Sequence, residues 1–335
     1  MIKFKKSLSS IVLSACVVFS LACCSKKNEK KTLVLAEVNP PDSVAAQMDQ
    51  YFADEVKKLT GGRIHIEVYA SALLGDEKDV LDDMYTTKKI DLARISLFAL
   101  NSYGAKKSEI LTIPYIFNSR KHFWDFANSE YASQILLEPT STPDGVMGLF
   151  LAEEGFRHFF SAKRLESIRD FEGQVIRIIQ DPVMSQLVKN LKATEKHVPF
   201  FDINKEMPIG TIDAAEQPIV NYKANFLYSA APNMILDGHT IGIVEMIMNR
   251  DTWNSLSAED QAIFKKAGRV AADYCRYIVE EQENKALEEL KAEGVTFTEV
   301  ADKEPWKEIC RDIIEEKSKL DLNLFNKIIE LGKTR

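Results

Sequence analysis

The chain has few of the residues from which small secreted scaffolds, metal sites and common hydrolases are built. Its 335 residues include only 5 cysteines. Cys16, Cys23 and Cys24 fall near the start, while Cys275 and Cys310 sit in helix-like segments with no Cys or His nearby at ligand spacing. A disulfide framework and a structural zinc site are therefore excluded. The last two are read as separate core cysteines, with a Cys275 to Cys310 bridge as the alternative. The 5 histidines, His65, His122, His158, His197 and His239, are scattered singly, so no metalloprotease helix is present. Gly-x-Ser-x-Gly and glycine-rich phosphate loops are also missing. These absences argue against an enzyme and imply neither metal nor other cofactor. Positive charge is in deficit too: the formal net charge is −7, before any loss of Lys3, Lys5 and Lys6 with a leader. A generally basic, nucleic-acid-binding surface is excluded.

Long apolar runs are likewise scarce. The main one, from about Leu8 to Ala22, is shorter than the roughly 20 residues of a membrane span and carries Ser9, Ser10, Ser14 and Cys16 in or beside it. Lysines precede it, and the polar Ser25 to Lys31 follows, which is the layout of a secretory signal. Cysteine directly after this run resembles the lipobox of bacterial lipoproteins, in which a thiol is diacylated and the leader is cut just before it. Cys24 fits with Leu21 three residues upstream, and Cys23 fits less well with Ser20 there. The alternative is an ordinary signal that happens to end in two cysteines. The expectation is a signal peptide over 1–23, a tether over 24–32, and a periplasmic or extracytoplasmic chain held to the membrane by its lipid. Several acyl chains, at about 0.8 kcal/mol per buried CH₂, suffice for this where one is marginal.

The remaining chain of about 310 residues favours two domains. Leu33 to Ala36 reads as a strand, Ser43 to Leu59 as an amphipathic helix closed by Gly61 and Gly62, and Ile64 to Val68 as an alternating strand. Glu77 to Tyr85 reads as a helix, and Leu92 to Ser96 and Val146 to Leu151 as strands. Alternation continues through Gln174 to Ile179 and Met184 to Leu191, which indicates α/β layers with mainly parallel sheets. From Ala258 to Glu293 the spacing predicts one helix, capped by Ser257, about 50 Å long. A second amphipathic helix is predicted over about Lys303 to Leu331.

Five segments, in order, resemble the substrate-binding proteins of tripartite ATP-independent periplasmic (TRAP) transporters, the DctP family. They are Leu74-Gly-Asp-Glu-Lys-Asp-Val-Leu81, Ile90-Asp-Leu-Ala-Arg-Ile-Ser96, Gly155-Phe-Arg-His158, Phe171-Glu-Gly-Gln-Val-Ile-Arg-Ile178, and Pro199-Phe200 with Gly210-Thr-Ile-Asp-Ala-Ala-Glu-Gln-Pro218. Trp253-Asn-Ser-Leu and the long helix follow. The resemblance implies a two-lobed, periplasmic-binding-protein-like α/β fold with a long helix spanning both lobes. Lobe I would be 33–154 and 243–282, and lobe II 155–242 and 283–335. It further implies a receptor that closes on a small organic acid and passes it to integral membrane TRAP transporter subunits.

Arg177 lies in Val175-Ile-Arg-Ile-Ile179, where every other residue is apolar. A buried cation needs an anionic partner, and a planar guanidinium suits a carboxylate. That partner is either internal, from Asp170, Glu172 or Asp181, or a ligand. The resemblance implies the ligand, since this arginine is the family's principal carboxylate clamp, and it places a second anion-binding arginine at Arg157. Gln217 stands where the family usually has an orienting asparagine, and Ala214 where it usually has glycine; the longer amide keeps donor and acceptor but must reach from a different backbone position, so the resemblance does not fix the ligand pose. On the first lobe the candidates are Glu37 or Asn39, Glu77, Arg94 and Ser96. Arg94 and Ser96 share a strand face. A cleft-facing Arg94 would favour a di-acid, whereas pairing with Asp91 or Glu37 would make it structural. Phe98, Tyr115, Phe117, Phe200 and Tyr222 are candidate lining aromatics, most of them expected in the core. A surface lipoprotein that binds a protein partner is the alternative, and an extracytoplasmic hydrolase the less favoured one.

Overall fold

A computed structural model describes residues 30–138 and 145–333. Cys23 and Cys24 lie outside the described residues. Nine strands form one sheet: β1 (Lys31–Ala36), β2 (Ile64–Tyr69), β3 (Leu92–Ser96), β4 (Val146–Ser161), β5 (Val175–Ile178), β6 (Thr194–His197), β7 (Ala214–Pro218), β8 (Asn233–Asn249) and β9 (Thr296–Glu299). The strand order is β2-β1-β3-β8-β4-β7-β5-β6, and β9 pairs with β8.

Caps and periodicity explain the local elements. Helix Val44–Leu59 begins where Ser43 accepts the Ala46 amide, and it buries Met48, Phe52 and Val56. Helix Glu77–Tyr85 begins at a reciprocal cap between Asp76 and Asp79. Pairing departs from the expected parallel pattern. β1 pairs in parallel with β2 and β3, and β5 with β6 and β7, but the centre is antiparallel: β3 with β8, β8 with β4, and β4 with β7. The 16-residue β4 and 17-residue β8 run through both lobes as a pair, and such a pair of long crossing strands can be antiparallel without a helical crossover.

Apolar packing divides along those strands. Val146 to Ala152 of β4 joins a core with Leu33, Phe52, Val80 and Leu92, whereas Phe159 and Phe160 enter second-lobe cores around Phe171 and Ile176 and around Tyr222 and Ala231. Helix Ala258–Ala292 serves both lobes. Phe264, Ala271, Cys275 and Val279 bury in the first core, and Ala286 and Leu290 in the second lobe. Cys275 and Cys310 are separate, buried free thiols.

The predicted single helix over 303–331 is instead broken. Helices Glu304–Glu308 and Arg311–Lys317 are followed by a 3-10 turn, and helix Leu322–Leu331 begins at an extended Asp321 whose side chain accepts the Leu324 amide. That local cap competes with helix continuation. It also redirects the chain: Trp306, Cys310 and Ile313 bury in the second lobe, but Leu324 and Ile328 bury in the first. His122 Nε2 lies 2.7 Å from the Ile328 carbonyl there. The expected second-lobe segment 283–335 is therefore shared, since its last helix packs against the first-lobe core.

Candidate functional site

The lobes enclose a cleft of about 490 Å³, within the size range of pockets that bury small metabolites. Several contacts bridge them, among them Asn225 Nδ2 donating to Asn39 Oδ1 at 3.1 Å, Asn101 Nδ2 donating to Asp181 Oδ2 at 2.7 Å, and the Ser102 hydroxyl donating to the Gln180 carbonyl. Arg177, Arg157, Gln217, Ser96, Arg94, Glu77 and Asn39 all line the cleft. Glu37 does not; it lies behind Arg94, buried.

On the second lobe, β5 sends Ile176 and Ile178 into the core and leaves Arg177 between them. Arg177 is only 5% exposed, and its Nε donates to the Val198 carbonyl at 2.9 Å. No carboxylate among the described residues forms an ion pair with it. The internal candidates are engaged elsewhere: Asp170 caps the Ser167 turn, Glu172 pairs with Lys192, and Asp181 accepts from Asn101 and the Met184 amide. Burial, partly offset by Glu216 and reinforced by the Arg157 charge, pulls the Arg177 pKa down to about 10. The Phe200 ring lies 5.9 Å from its guanidinium carbon.

Arg157 differs because its charge is already matched. Its Nη2 donates to Glu216 Oε1 at 2.7 Å, and its Nε bonds to the other carboxylate oxygen. Burial opposes ionisation of Glu216, but Arg157 and His239 outweigh it and hold the carboxyl down at about 2. Behind the pair, His239 Nδ1 lies 2.6 Å from Asp237 Oδ2, and its Nε2 lies 3.7 Å from Glu216 Oε2. Burial disfavours the His239 cation, yet the two carboxylates raise its pKa to about 9. Phe98 packs under Arg157, with the ring centroid 5.2 Å from the guanidinium carbon.

On the first lobe, Arg94 and Ser96 share the cleft-facing side of β3. Arg94 takes the structural alternative: its Nε and Nη2 donate to the two Glu37 oxygens at 2.7 and 2.5 Å, with the residues 2% and 1% exposed. Asp91 binds the Val34 amide and the Thr252 hydroxyl instead. Arg94 Nη1 lies 3.3 Å from Glu77 Oε1 and 3.6 Å from Glu154 Oε1. Glu77 also accepts the Ser96 amide at 2.7 Å, yet burial outweighs these contacts and keeps its pKa above the ordinary carboxylate value. Asp49, fully buried on the helix behind Glu37, makes no hydrogen bond to any donor. Burial, and then the Glu37 charge beside it, push its pKa well above the ordinary carboxylate value.

Sequence reasoning missed Glu154 and Asn221. Both line the cleft, and Glu154 Oε1 and Asn221 Oδ1 are buried without a hydrogen-bond partner. Two adjacent glutamates in an apolar strand, and an Asn four residues after Gln217, were the available signals. Of the candidate aromatics, Phe200 lines the cleft, while Phe117 and Tyr222 are core and Tyr115 packs against the second-lobe core. Among the described residues no His, Cys, Asp or Glu group could hold a metal, and no helix is long and apolar enough to cross a membrane.

A family model described as "Bacterial extracellular solute-binding protein, family 7" (DctP) matches residues 35–319. A solute-binding protein of Verminephrobacter eiseniae is 26% identical over 75% of this chain and 74% of its own. The C4-dicarboxylate-binding periplasmic protein DctP of Rhodobacter capsulatus is 24% identical over 86% of each chain. A TRAP periplasmic solute-binding protein of Pseudomonas putida, solved with bound D-glucuronate, superposes with a TM-score of 0.85 at 23% identity, covering 89% of this chain and 96% of that one.

Proposed function

The chain belongs to the DctP family of bacterial extracellular solute-binding proteins and is an extracytoplasmic solute receptor, and we propose that it clamps its organic-acid solute through Arg177. The supporting observation is that arginine's situation: a buried guanidinium in the interlobe cleft that forms no ion pair with any carboxylate of the described residues. Leaving such a charge unpaired is costly, and a ligand carboxylate offers two charge-assisted bonds in the geometry the fork requires. Arg157 acts beside it with its spare nitrogen, Gln217 and Asn221 supply amides, and Asn39, Ser96, Arg94 and Glu77 form the opposite wall.

The same proposal includes delivery of the solute to integral membrane TRAP subunits and tethering through Cys24, or Cys23 in its place. Members of the family are binding proteins, which fits a chain with no catalytic constellation in its sequence. Thermal melting against a panel of organic acids tests the receptor reading, since a ligand raises stability by RT ln(1 + [L]/Kd). A melting curve unmoved by every carboxylate at millimolar concentration would defeat it. Labelling with radioactive palmitate tests the tether: wild type should incorporate label, and a variant lacking both cysteines should not.

A further inference from the structure

The first-lobe wall of the cleft carries more negative charge than it can balance. One buried guanidinium, Arg94, faces Glu37, Glu77 and Glu154. The positive end of helix Glu77–Tyr85 offsets roughly half a charge beside Glu77, which still leaves an excess of more than one negative charge. At the rim, Lys78 is matched by Asp82 at 2.5 Å, and Asp76 adds a further carboxylate. Glu37 is fully engaged with Arg94, but Glu154 Oε1, buried and cleft-lining, accepts no hydrogen bond. An ionised carboxylate only accepts, so whatever meets Glu154 must donate.

The second lobe has the opposite need. Arg157 is neutralised by Glu216, and Arg177 makes no ion pair with any of the described residues. The cleft is therefore polar in the electrical sense, with one cation awaiting an anion on lobe II and acceptors awaiting donors on lobe I.

Resting on the reading of Arg177 as a carboxylate clamp, we propose that the solute is a mono-carboxylate whose far end carries hydrogen-bond donors, and that Glu154 and Glu77 exclude a second carboxylate there. Three arginines at the cleft do not favour a di-acid, because the charges of Arg94 and Arg157 are already balanced by Glu37 and Glu216, and Arg157 keeps only a spare nitrogen as a donor. Glu154 is the specificity-determining residue. It rejects a dicarboxylate by like-charge repulsion in a desolvated site and selects a hydroxyl or ammonium donor by accepting from it.

Matched compounds test this on the full-length protein by melting and by calorimetric titration. One set is 4-hydroxybutyrate, 4-aminobutyrate and succinate; the other is D-gluconate and D-glucarate, which differ only in a terminal hydroxymethyl against a carboxylate. The expected result is binding of the mono-carboxylate in at least one set, with the matched di-acid at least tenfold weaker. The hydroxyl and ammonium arms then separate a hydroxy-acid solute from an amino-acid one. Glu154→Gln should narrow the preference for mono-carboxylate by tenfold or more, with its own melting curve reporting folding. Should that variant not fold, Glu77→Gln carries the same test. A di-acid bound as tightly as its mono-carboxylate partner overturns the inference while leaving the Arg177 clamp in place. If no carboxylate in either set shifts melting, the organic-acid reading falls and takes this inference with it.

Discussion

Glu154 and Arg157 lie three residues apart on β4, yet both side chains line the same cleft. In a regular strand, residues at an odd spacing point to opposite faces. The phase slips between them, where the β4 register against β8 shifts between Glu153 and Phe156 and Gly155 adopts φ +97°. Glu153 consequently faces away and binds Arg120 and the Trp124 indole at 2.9 and 2.7 Å.

Gly155→Ala should therefore cost stability and affinity together. Its Cβ would occupy a strained backbone region and lie 3.1 Å from Glu283 Oε1. Strain of this kind is worth about 1 to 3 kcal/mol, so a fall in melting temperature of several degrees is expected. Unchanged melting and unchanged ligand affinity would show that the bulge tolerates a side chain and does not set the phase.

Arg177→Ala separates binding from folding. Losing two charge-assisted hydrogen bonds to a carboxylate should weaken binding at least about a hundredfold, at 1.4 kcal/mol per factor of ten. Since no carboxylate among the described residues is paired with Arg177, ligand-free melting should hold steady or rise as an unpaired buried cation is removed. Arg177→Lys should recover part of the affinity, because the ammonium keeps the charge without the fork. A sharp loss of ligand-free stability with near-normal affinity in the folded fraction would reassign Arg177 as structural.

Arg94→Met has the contrary signature. It strands Glu37, with Glu77 and Glu154 nearby, so a loss of about 3 to 5 kcal/mol is expected in denaturant unfolding. The loss should shrink on acidification as the stranded carboxyls take up protons. A variant as stable as wild type at neutral pH would refute the account of this pair.

The His239 network should make stability pH-dependent on the alkaline side. Its pKa rises from 6.5 in the unfolded chain to about 9 in the fold. A base with a raised folded pKa contributes stability that is fully present below pH 6.5 and is lost as pH climbs through 9. Wild type and His239→Gln should differ most in melting temperature below pH 6.5 and converge toward pH 9.5. A gap that stays constant across that range would mean His239 is neutral in the fold.

Much of the local structure was legible because helices and half-buried strands write their period and their caps into consecutive residues. Helix Glu77–Tyr85 and strand Leu92–Ser96 were readable to the residue, and the long helix to within one. The break at Asp321 was not, since an aspartate mid-run reads equally as a solvated helical position or as a cap. Antiparallel pairing at the sheet centre was also hidden, because β4 and β8 are 72 or more residues apart in their paired segments and neither sequence names its partner.

The two arginines mark the boundary most clearly. Leu92-Ala-Arg-Ile-Ser96 and Val175-Ile-Arg-Ile-Ile179 look alike to local reasoning: each sets one arginine in an apolar strand, and each demands a counter-charge. The demand came from the sequence alone, because the cost of burying a guanidinium does not depend on which partner removes it. Which partner it finds is a matter of tertiary geometry. Folding brings Glu37, 57 residues away, against Arg94 and, among the described residues, gives Arg177 the neutral Val198 carbonyl and no carboxylate. Coulombic pairing acts over a few ångströms of space and is indifferent to distance along the chain, so the fold alone decided that one arginine is internally matched and the other faces the cleft with its charge unbalanced.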